Sequence, residues 1–260
     1  MRLANADVKV TLDGQGADEI LAGYHYFYGF YFKDLLKSLK IGKLIKEIYA
    51  YTKLHKSVYG LETFVFFLLP KFLKKSVRVK ERGYIKNEFV EQNNKSVIAD
   101  DLYGSKDLKT SLINHLEFKL EHLLKWSDKN SMGFSIESRT PFLDYRLVEY
   151  TLSMPTDAFI KSGYTKYALR ESMKNILPEK IRLRRDKVGF ATPEDSWFRT
   201  EGFKKIIYGI LNSESFNSRN IIDVKLAKSL YEKHLNKEIN ISKDIWKWIH
   251  LEMWFRMFID

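Results

Sequence analysis

Asp13-Gly14-Gln15-Gly16-Ala17-Asp18 places two glycines among side chains able to meet a ligand or a metal. Ahead of it, Val8-Lys9-Val10-Thr11-Leu12 alternates and is rich in β-branched residues, which predicts a strand. After it, Ile20, Leu21 and Tyr24 fall at helical spacing. Glycines between a strand and a helix let backbone N–H groups approach an anion, and the helix N-terminus adds partial positive charge. The shape suits a pyrophosphate. Glu19 stands where a third glycine would complete the dinucleotide fingerprint, and no Gly-Lys-Ser/Thr follows, so neither that pattern nor the P-loop applies. A structural turn and a phosphate site both satisfy this stretch. Asp18 likewise has two readings, as a helix cap or as a Mg²⁺ ligand beside phosphates.

A second unusual stretch runs from Trp126 to Asp144. It gathers Asp128, Lys129, Glu137, Arg139 and Asp144 after an apolar helix, and Pro141-Phe142-Leu143 predicts a turn into the next helix. Arg139 with Asp144 or Glu137 reads best as a charge network that fixes the turn. For Glu137 a functional role is as open as the structural one. A third stretch, Arg182-Leu183-Arg184-Arg185-Asp186-Lys187-Val188-Gly189-Phe190, clusters cations on a glycine-containing loop. Such a loop could close over a polyphosphate, or be a solvated basic surface.

The elements that must position these residues are mostly helices. Lys33–Lys56 carries Leu35, Leu36, Leu39, Leu44, Ile45 and Ile48 among lysines. Asp107–Trp126 sets Leu108, Leu112, Leu116, Leu120, Leu123 and Leu124 on one stripe, predicting a continuous helix. Leu61–Leu73 reads as a buried helix, too short to span a bilayer. Tyr164–Ile176 reads as a helix stopped by Pro178, and Ser162-Gly163 as the turn of a small hairpin. Asn93–Lys106 reads as a surface connection and Ile181–Pro193 as an ordered loop. Ile245–Phe258 is crowded with Trp246, Trp248, Trp254, Phe255 and Phe258 and predicts a buried helix. One strand of parallel type needs neighbours to form a sheet. Because those neighbours are not recognisable, the N-terminal half of the sheet is expected to lie outside the 260 residues. The strand would then present an open, apolar edge, with poor solubility as the expected consequence.

Composition narrows the chemistry. Hydrophobic residues make up 45% and charged residues 30%, enough to fill a core in a soluble protein. No cysteine is present, which excludes disulfides, thiolate metal sites and cysteine nucleophiles within these residues, and suits a cytoplasmic location. The first residues lack an apolar signal core, and no membrane partner is expected. The net charge of +11 fits a polyanionic substrate or a lysine-coated surface. It also admits a basic helical module that binds nucleic acid or an anionic surface through Lys33–Lys56 and Arg182–Arg185, but such a module leaves the order of the three stretches unexplained.

Leu12-Asp13-Gly14-Gln15-Gly16-Ala17-Asp18-Glu19 with Ala22-Gly23-Tyr24 resembles the strand–loop–helix of the asparagine synthetase family that contacts AMP and pyrophosphate. Ser131-Met132 through Ser135-Ile136-Glu137-Ser138-Arg139-Thr140-Pro141-Phe142-Leu143-Asp144 looks like that family's second signature, and Arg185-Asp186-Lys187-Val188-Gly189-Phe190 with Pro193 is similar to its lysine loop. The order and spacing extend the resemblance over nearly the whole chain.

The resemblance implies the C-terminal portion of an α/β ATP-pyrophosphatase-like domain, mostly helical with one or few strands. It implies an ATP-dependent ligase that activates aspartate as an acyl-adenylate for attack by ammonia drawn from glutamine. Carried over, Asp13, Gly14 and Gly16 line the nucleotide, Gln15 sits where the adenylate forms, and Asp18 lies near pyrophosphate and Mg²⁺. Lys187 neutralises the phosphorus and leaving group, and Glu137 lies near the acyl-transfer centre. Family members commonly carry Ser at the position of Asp13 and Glu at that of Gln15. Another carboxylate, such as a sugar acid, or ring closure as in β-lactam synthetases, therefore stays open as the reaction. The Ser-Gly-Gly-x-Asp-Ser pyrophosphate loop does not occur in these residues, nor does the glutaminase cysteine. The resemblance thus predicts a partial synthetase domain over residues 1–260, completed by N-terminal segments in cis or in trans and inactive alone.

Overall fold

Phe27, Tyr28, Phe30, Tyr31 and Phe32 are all fully buried, so the helix Phe27–Lys37 is apolar around most of its girth. It is the axis of the first of two units in the computed structural model, which describes residues 1–70, 73–74, 83–93, 97–186 and 192–260. This unit comprises Met1–Lys74 with Ser96–Asp186. The helices Ile41–His55, Tyr59–Leu68 and Leu108–His115 contribute Leu44, Tyr51, Phe67, Leu108 and Leu112 to its core, and Phe30 stacks on Phe67 with ring centroids 3.8 Å apart. Burying such large aromatic faces supplies most of the stabilisation here, about 25 cal/mol per Å² of apolar surface.

Strand β1 (Val10–Leu12) does have a neighbour in this chain. It pairs in parallel with β2 (Glu137–Arg139), with Val10 opposite Glu137, Thr11 opposite Ser138 and Leu12 opposite Arg139. The stretch from Trp126 to Asp144 thus contains a parallel neighbour of β1, where none was recognisable in the sequence. Three residues are too few for a period-2 pattern to declare itself. Fully buried Ile136 anchors the start of β2, just after Ser135 in a left-handed conformation.

Further elements differ from expectation. The Asp107–Trp126 stripe is broken into Leu108–His115, a π-helical turn Leu116–Leu120 and the helix Glu121–Met132. The wider turn advances the face, so Leu120 is buried while Trp126 is 60% exposed. Tyr164-Thr165 is not helical: it forms β4, antiparallel to β3 (Ile160–Lys161) across Ser162-Gly163, and the helix begins at Tyr167. Val97–Gly104 is a helix within the expected connection. In Tyr59–Leu68, Thr63 and Phe67 are buried but Val65 and Leu68 face outward. Lys71 and Phe72, in the expected Leu61–Leu73 helix, lie outside the described residues. Of Ile181–Pro193, residues 181–182 close the short helix Glu179–Arg182 and residues 187–191 lie outside the described ones.

The second unit comprises Lys75–Lys95 with Lys187–Asp260. Helices Glu201–Leu211, Val224–Leu235 and Ser242–Phe258 bury Ile207, Leu211, Tyr231, Ile245 and Trp248, and the bridge between Ile85 and Ile222 closes this core. Trp248 is the buried tryptophan of Ser242–Phe258. Trp246, Trp254 and Phe258 are each about half exposed or more, contrary to expectation, because the apolar residues encircle the helix while one face meets the core. Among the described residues, no helix is long and apolar enough to cross a membrane.

Candidate active site

β1 and β2 run in the same direction, so the loops that follow them leave one end of the pair. Those loops are Asp13–Gly16 and Thr140–Asp144, which join the first and second signatures from more than a hundred residues apart in sequence. Ligands of parallel sheets bind outside the carboxyl ends of the strands. The Asp13 N–H donates to the Arg139 carbonyl at 2.7 Å, extending the ladder by one bond, and the Glu137 N–H donates to the Lys9 carbonyl at 2.9 Å.

Asp13 shapes the turn. Its Oδ1 accepts the Gln15 N–H at 3.1 Å, and its Oδ2 accepts the Ser127 hydroxyl at 3.1 Å. Both carboxylate oxygens therefore have partners on the protein. Gly16 begins the helix Ala17–Ile20 with φ of +92°, a conformation that glycine adopts without strain. A Cβ on Gly16 would lie 2.3 Å from Leu143, so the second signature packs directly onto the first. Gly14 is the opposite case. A Cβ there would meet nothing within 4 Å, so no neighbouring protein atom demands a glycine, and the backbone faces open space.

Asp18 lies in the first turn of that helix rather than at its cap, which is Gly16. Its Oδ1 pairs with Lys166 Nζ at 2.7 Å, and each side chain keeps 26% of its surface exposed. A Cβ on Gly23 would fall 1.9 Å from Asp18 Oδ1 and 2.5 Å from Lys166 Cε, so the space at Gly23 is filled by this pair. Lys166 is the residue sequence reasoning missed, because it was read as interior to a helix. The Ser162-Gly163 turn was the available signal: it fixes Tyr164-Thr165 as the return strand and puts Lys166 at a junction. Next to Asp18, Glu19 is buried and accepts the Tyr24 hydroxyl at 2.5 Å.

Glu137 stands apart from the glycine turn. It opposes Val10, three residues before Asp13, which is roughly 10 Å along a strand. Arg139 grips it through two hydrogen bonds of 2.8 and 3.2 Å, and that guanidinium holds the Glu137 carboxyl below the usual range. Asp144 does not pair with Arg139. It caps the helix Tyr145–Ser153 by accepting the Arg146 N–H and takes the Arg146 side chain at 2.9 and 2.6 Å, and these bonds pull its carboxyl down to about 2.

The basic stretch is largely engaged within the first unit. Arg182 donates to Glu179 at 2.8 and 2.9 Å and to Glu171 at 3.2 Å. Arg184 donates to Asp186 at 3.0 and 2.9 Å, and Arg185 to the Leu54 carbonyl at 2.9 Å. Lys187 and Gly189 lie outside the described residues. Among the described residues, no three acidic or imidazole side chains gather to hold a metal. At the glycine turn the Asp13 carboxylate is taken up by the Gln15 N–H and the Ser127 hydroxyl, and that of Asp18 by Lys166.

The asparagine synthase family matches residues 1–256. The chain belongs to the asparagine synthase family. Similar relatives carry the name asparagine synthetase (glutamine-hydrolyzing). One from Mycobacterium tuberculosis, named as putative, is 25% identical over 269 residues, covering 100% of this chain and 41% of the relative. One from Bacillus subtilis is 24% identical, covering 99% of this chain and 42% of the relative. The mouse protein is 29% identical over 190 residues, covering 64% of this chain and 34% of the relative. The chain thus spans about two fifths of the length of the bacterial relatives. No solved structure matches it. The two stretches that resemble signatures of this family are the two loops that meet at Gly16 and Leu143.

Proposed function

We propose that this chain supplies part of the site of an ATP-dependent, amide-forming ligase. Its fold reads as the C-terminal portion of an ATP-pyrophosphatase-like domain. The observation that carries this reading is the convergence of the two signature loops at the carboxyl ends of β1 and β2, with open space over Gly14. In this reading a carboxylate, with aspartate as the first candidate, attacks the α-phosphorus of ATP. Pyrophosphate leaves and an acyl-adenylate remains. Ammonia then attacks the acyl carbon, AMP departs, and the amide, asparagine, is released. A carboxylate alone is a poor electrophile, and adenylation provides the leaving group that it lacks.

The chain's own residues serve this chemistry mainly by placing charge and backbone. Gly14 and Gly16 allow backbone N–H groups close to the nucleotide, and Asp13 holds the turn through its two hydrogen bonds. Gln15 presents an amide where the adenylate would form. Asp18 would take Mg²⁺ together with phosphate oxygens and water, since Mg²⁺ needs only one or two carboxylates beside phosphates. Lys187 would neutralise the leaving pyrophosphate. Glu137, already ion-paired with Arg139, serves as a charged acceptor rather than a proton donor at neutral pH. Glutamine-derived ammonia and the remaining nucleotide contacts would come from segments beyond these 260 residues, and the cytoplasm suits such a biosynthetic step.

The test is product analysis on this chain combined with its N-terminal segments, in cis or in trans, with ATP, aspartate and ammonium. Asparagine, AMP and pyrophosphate in equal amounts are expected, with large losses of rate in Gln15→Ala and Lys187→Ala. ADP and phosphate as products would sink the adenylate reading. Turnover with a different carboxylate would overturn aspartate alone.

A further inference from the structure

Lys166 sits at the end of an unusually well-braced segment. The Ser162-Gly163 turn, with φ of +52° and +76°, is held by Glu47, which accepts the Ser162 N–H at 3.1 Å and the Gly163 N–H at 3.4 Å. The Tyr28 hydroxyl donates to the Gly163 carbonyl at 2.5 Å, and His55 Nε2 lies 2.8 Å from the same oxygen. From that anchor β4 runs two residues and delivers Lys166, itself in a left-handed conformation with φ of +52°. The Lys166 N–H donates to the Leu21 carbonyl at 3.2 Å, fixing it to the segment that follows the glycine turn. The side chain then reaches Asp18 at 2.7 Å, within the space left by Gly23.

A lysine needed only to neutralise a surface aspartate would not call for such bracing, because exposed pairs contribute little. This pair is half-buried, and Asp18 stands in the first turn of the helix that Gly16 begins. On the nucleotide reading of the site given above, we propose that Lys166 is a polyphosphate-binding cation of the site, stored in the nucleotide-free protein as the ion-pair partner of Asp18. A polyphosphate carries several negative charges and competes for an ammonium more strongly than a single carboxylate does. Magnesium arriving with the phosphates is a stronger partner for the Asp18 carboxylate than lysine is. One neutral pair is thus exchanged for two new pairs, and neither charge is left alone at any stage. The exchange also keeps Asp18 and Lys166 in place before the nucleotide binds.

The chain, combined with its N-terminal segments in cis or in trans, is titrated with inorganic pyrophosphate and Mg²⁺ by calorimetry. Wild type is compared with Lys166→Arg, Asp18→Asn, Lys166→Gln, which can still hydrogen-bond Asp18 without charge, and the variant combining Lys166→Gln with Asp18→Asn. Melting without ligand shows that each is folded. Lys166→Gln is expected to weaken pyrophosphate binding on the order of tenfold, Lys166→Arg to recover most of it, and Lys166→Gln to cost affinity again in the Asp18→Asn background. A lysine that merely props Asp18 gives no further loss in that background, and this result overturns the proposal. So does unchanged affinity in Lys166→Gln. Absence of pyrophosphate and Mg-ATP binding in wild type would refute the nucleotide reading and the role of Lys166 with it. Binding by wild type without these variant effects refutes the role of Lys166 alone.

Discussion

Leu143 lies against Gly16 so closely that a Cβ on the glycine would sit 2.3 Å from Leu143 Cδ2 and 2.8 Å from its Cγ. One contact thus ties the turn after β1 to the turn after β2. Gly16→Ala should destabilise the protein by at least about 1 kcal/mol, because alanine is strained at φ of +92° even where Leu143 swings aside. Combining it with Leu143→Ala should relieve the clash but leave the strain. Urea denaturation of the two single variants and the combination separates these contributions.

Gly14 and Gly23 should respond in opposite ways to the same added methyl. Gly14→Ala has open space and should leave the melting temperature nearly unchanged, while nucleotide affinity falls if the backbone there meets phosphate. Gly23→Ala drives its Cβ into Asp18 and Lys166 and should lower stability by about 1–2 kcal/mol. Thermal melting with and without Mg-ATP would show both effects. Equal stability losses in the two variants would contradict this account.

Buried His115 and partly buried Asp34 set opposing pH dependences. Burial pushes the His115 imidazole down to about 4, so between pH 6.5 and 4 the unfolded chain holds a proton that the native protein refuses. Its contribution is present above pH 6.5 and is lost as pH falls, by up to about 3 kcal/mol. Burial raises Asp34 to about 6, though the Leu108 N–H that it accepts at 2.9 Å opposes the shift. Here the native protein holds the proton, so stability is lost as pH rises through about 6. Denaturation across pH 4–7 should therefore show a steeper acid loss in Asp34→Asn and a shallower one in His115→Gln.

In the second unit, Glu252 is fully buried and accepts Arg219 at 2.6 Å, Arg256 at 2.7 Å and the Ser215 hydroxyl at 2.5 Å. Arg219 also reaches Asp260 at 2.6 Å. Glu252→Ala leaves Arg219 poorly compensated and should cost about 3 kcal/mol or more. Glu252→Gln keeps some hydrogen bonds and should cost less. Chemical denaturation would decide the order of the two.

The strand–glycine–helix turn was legible in the sequence because its signals are local: alternating β-branched residues, two glycines and an apolar spacing that switches period. The Ser162-Gly163 hairpin was legible for the same reason, and so was the predominance of helix. The partners of these elements were not. β2 is three residues long, and its register with β1 is set by Ile136 entering the core and by Leu143 closing on Gly16, contacts distant in sequence. The Leu stripe from Leu108 does not show the π turn, because side-chain spacing cannot reveal an added backbone residue. Tryptophan content could not say which faces of Ser242–Phe258 are buried, since that depends on which helices pack there. Lys166 joined the site only through the fold: the sequence supplied a lysine, and the braced hairpin carried it to Asp18. Local spacing determines which elements form; packing between distant segments determines which charges meet.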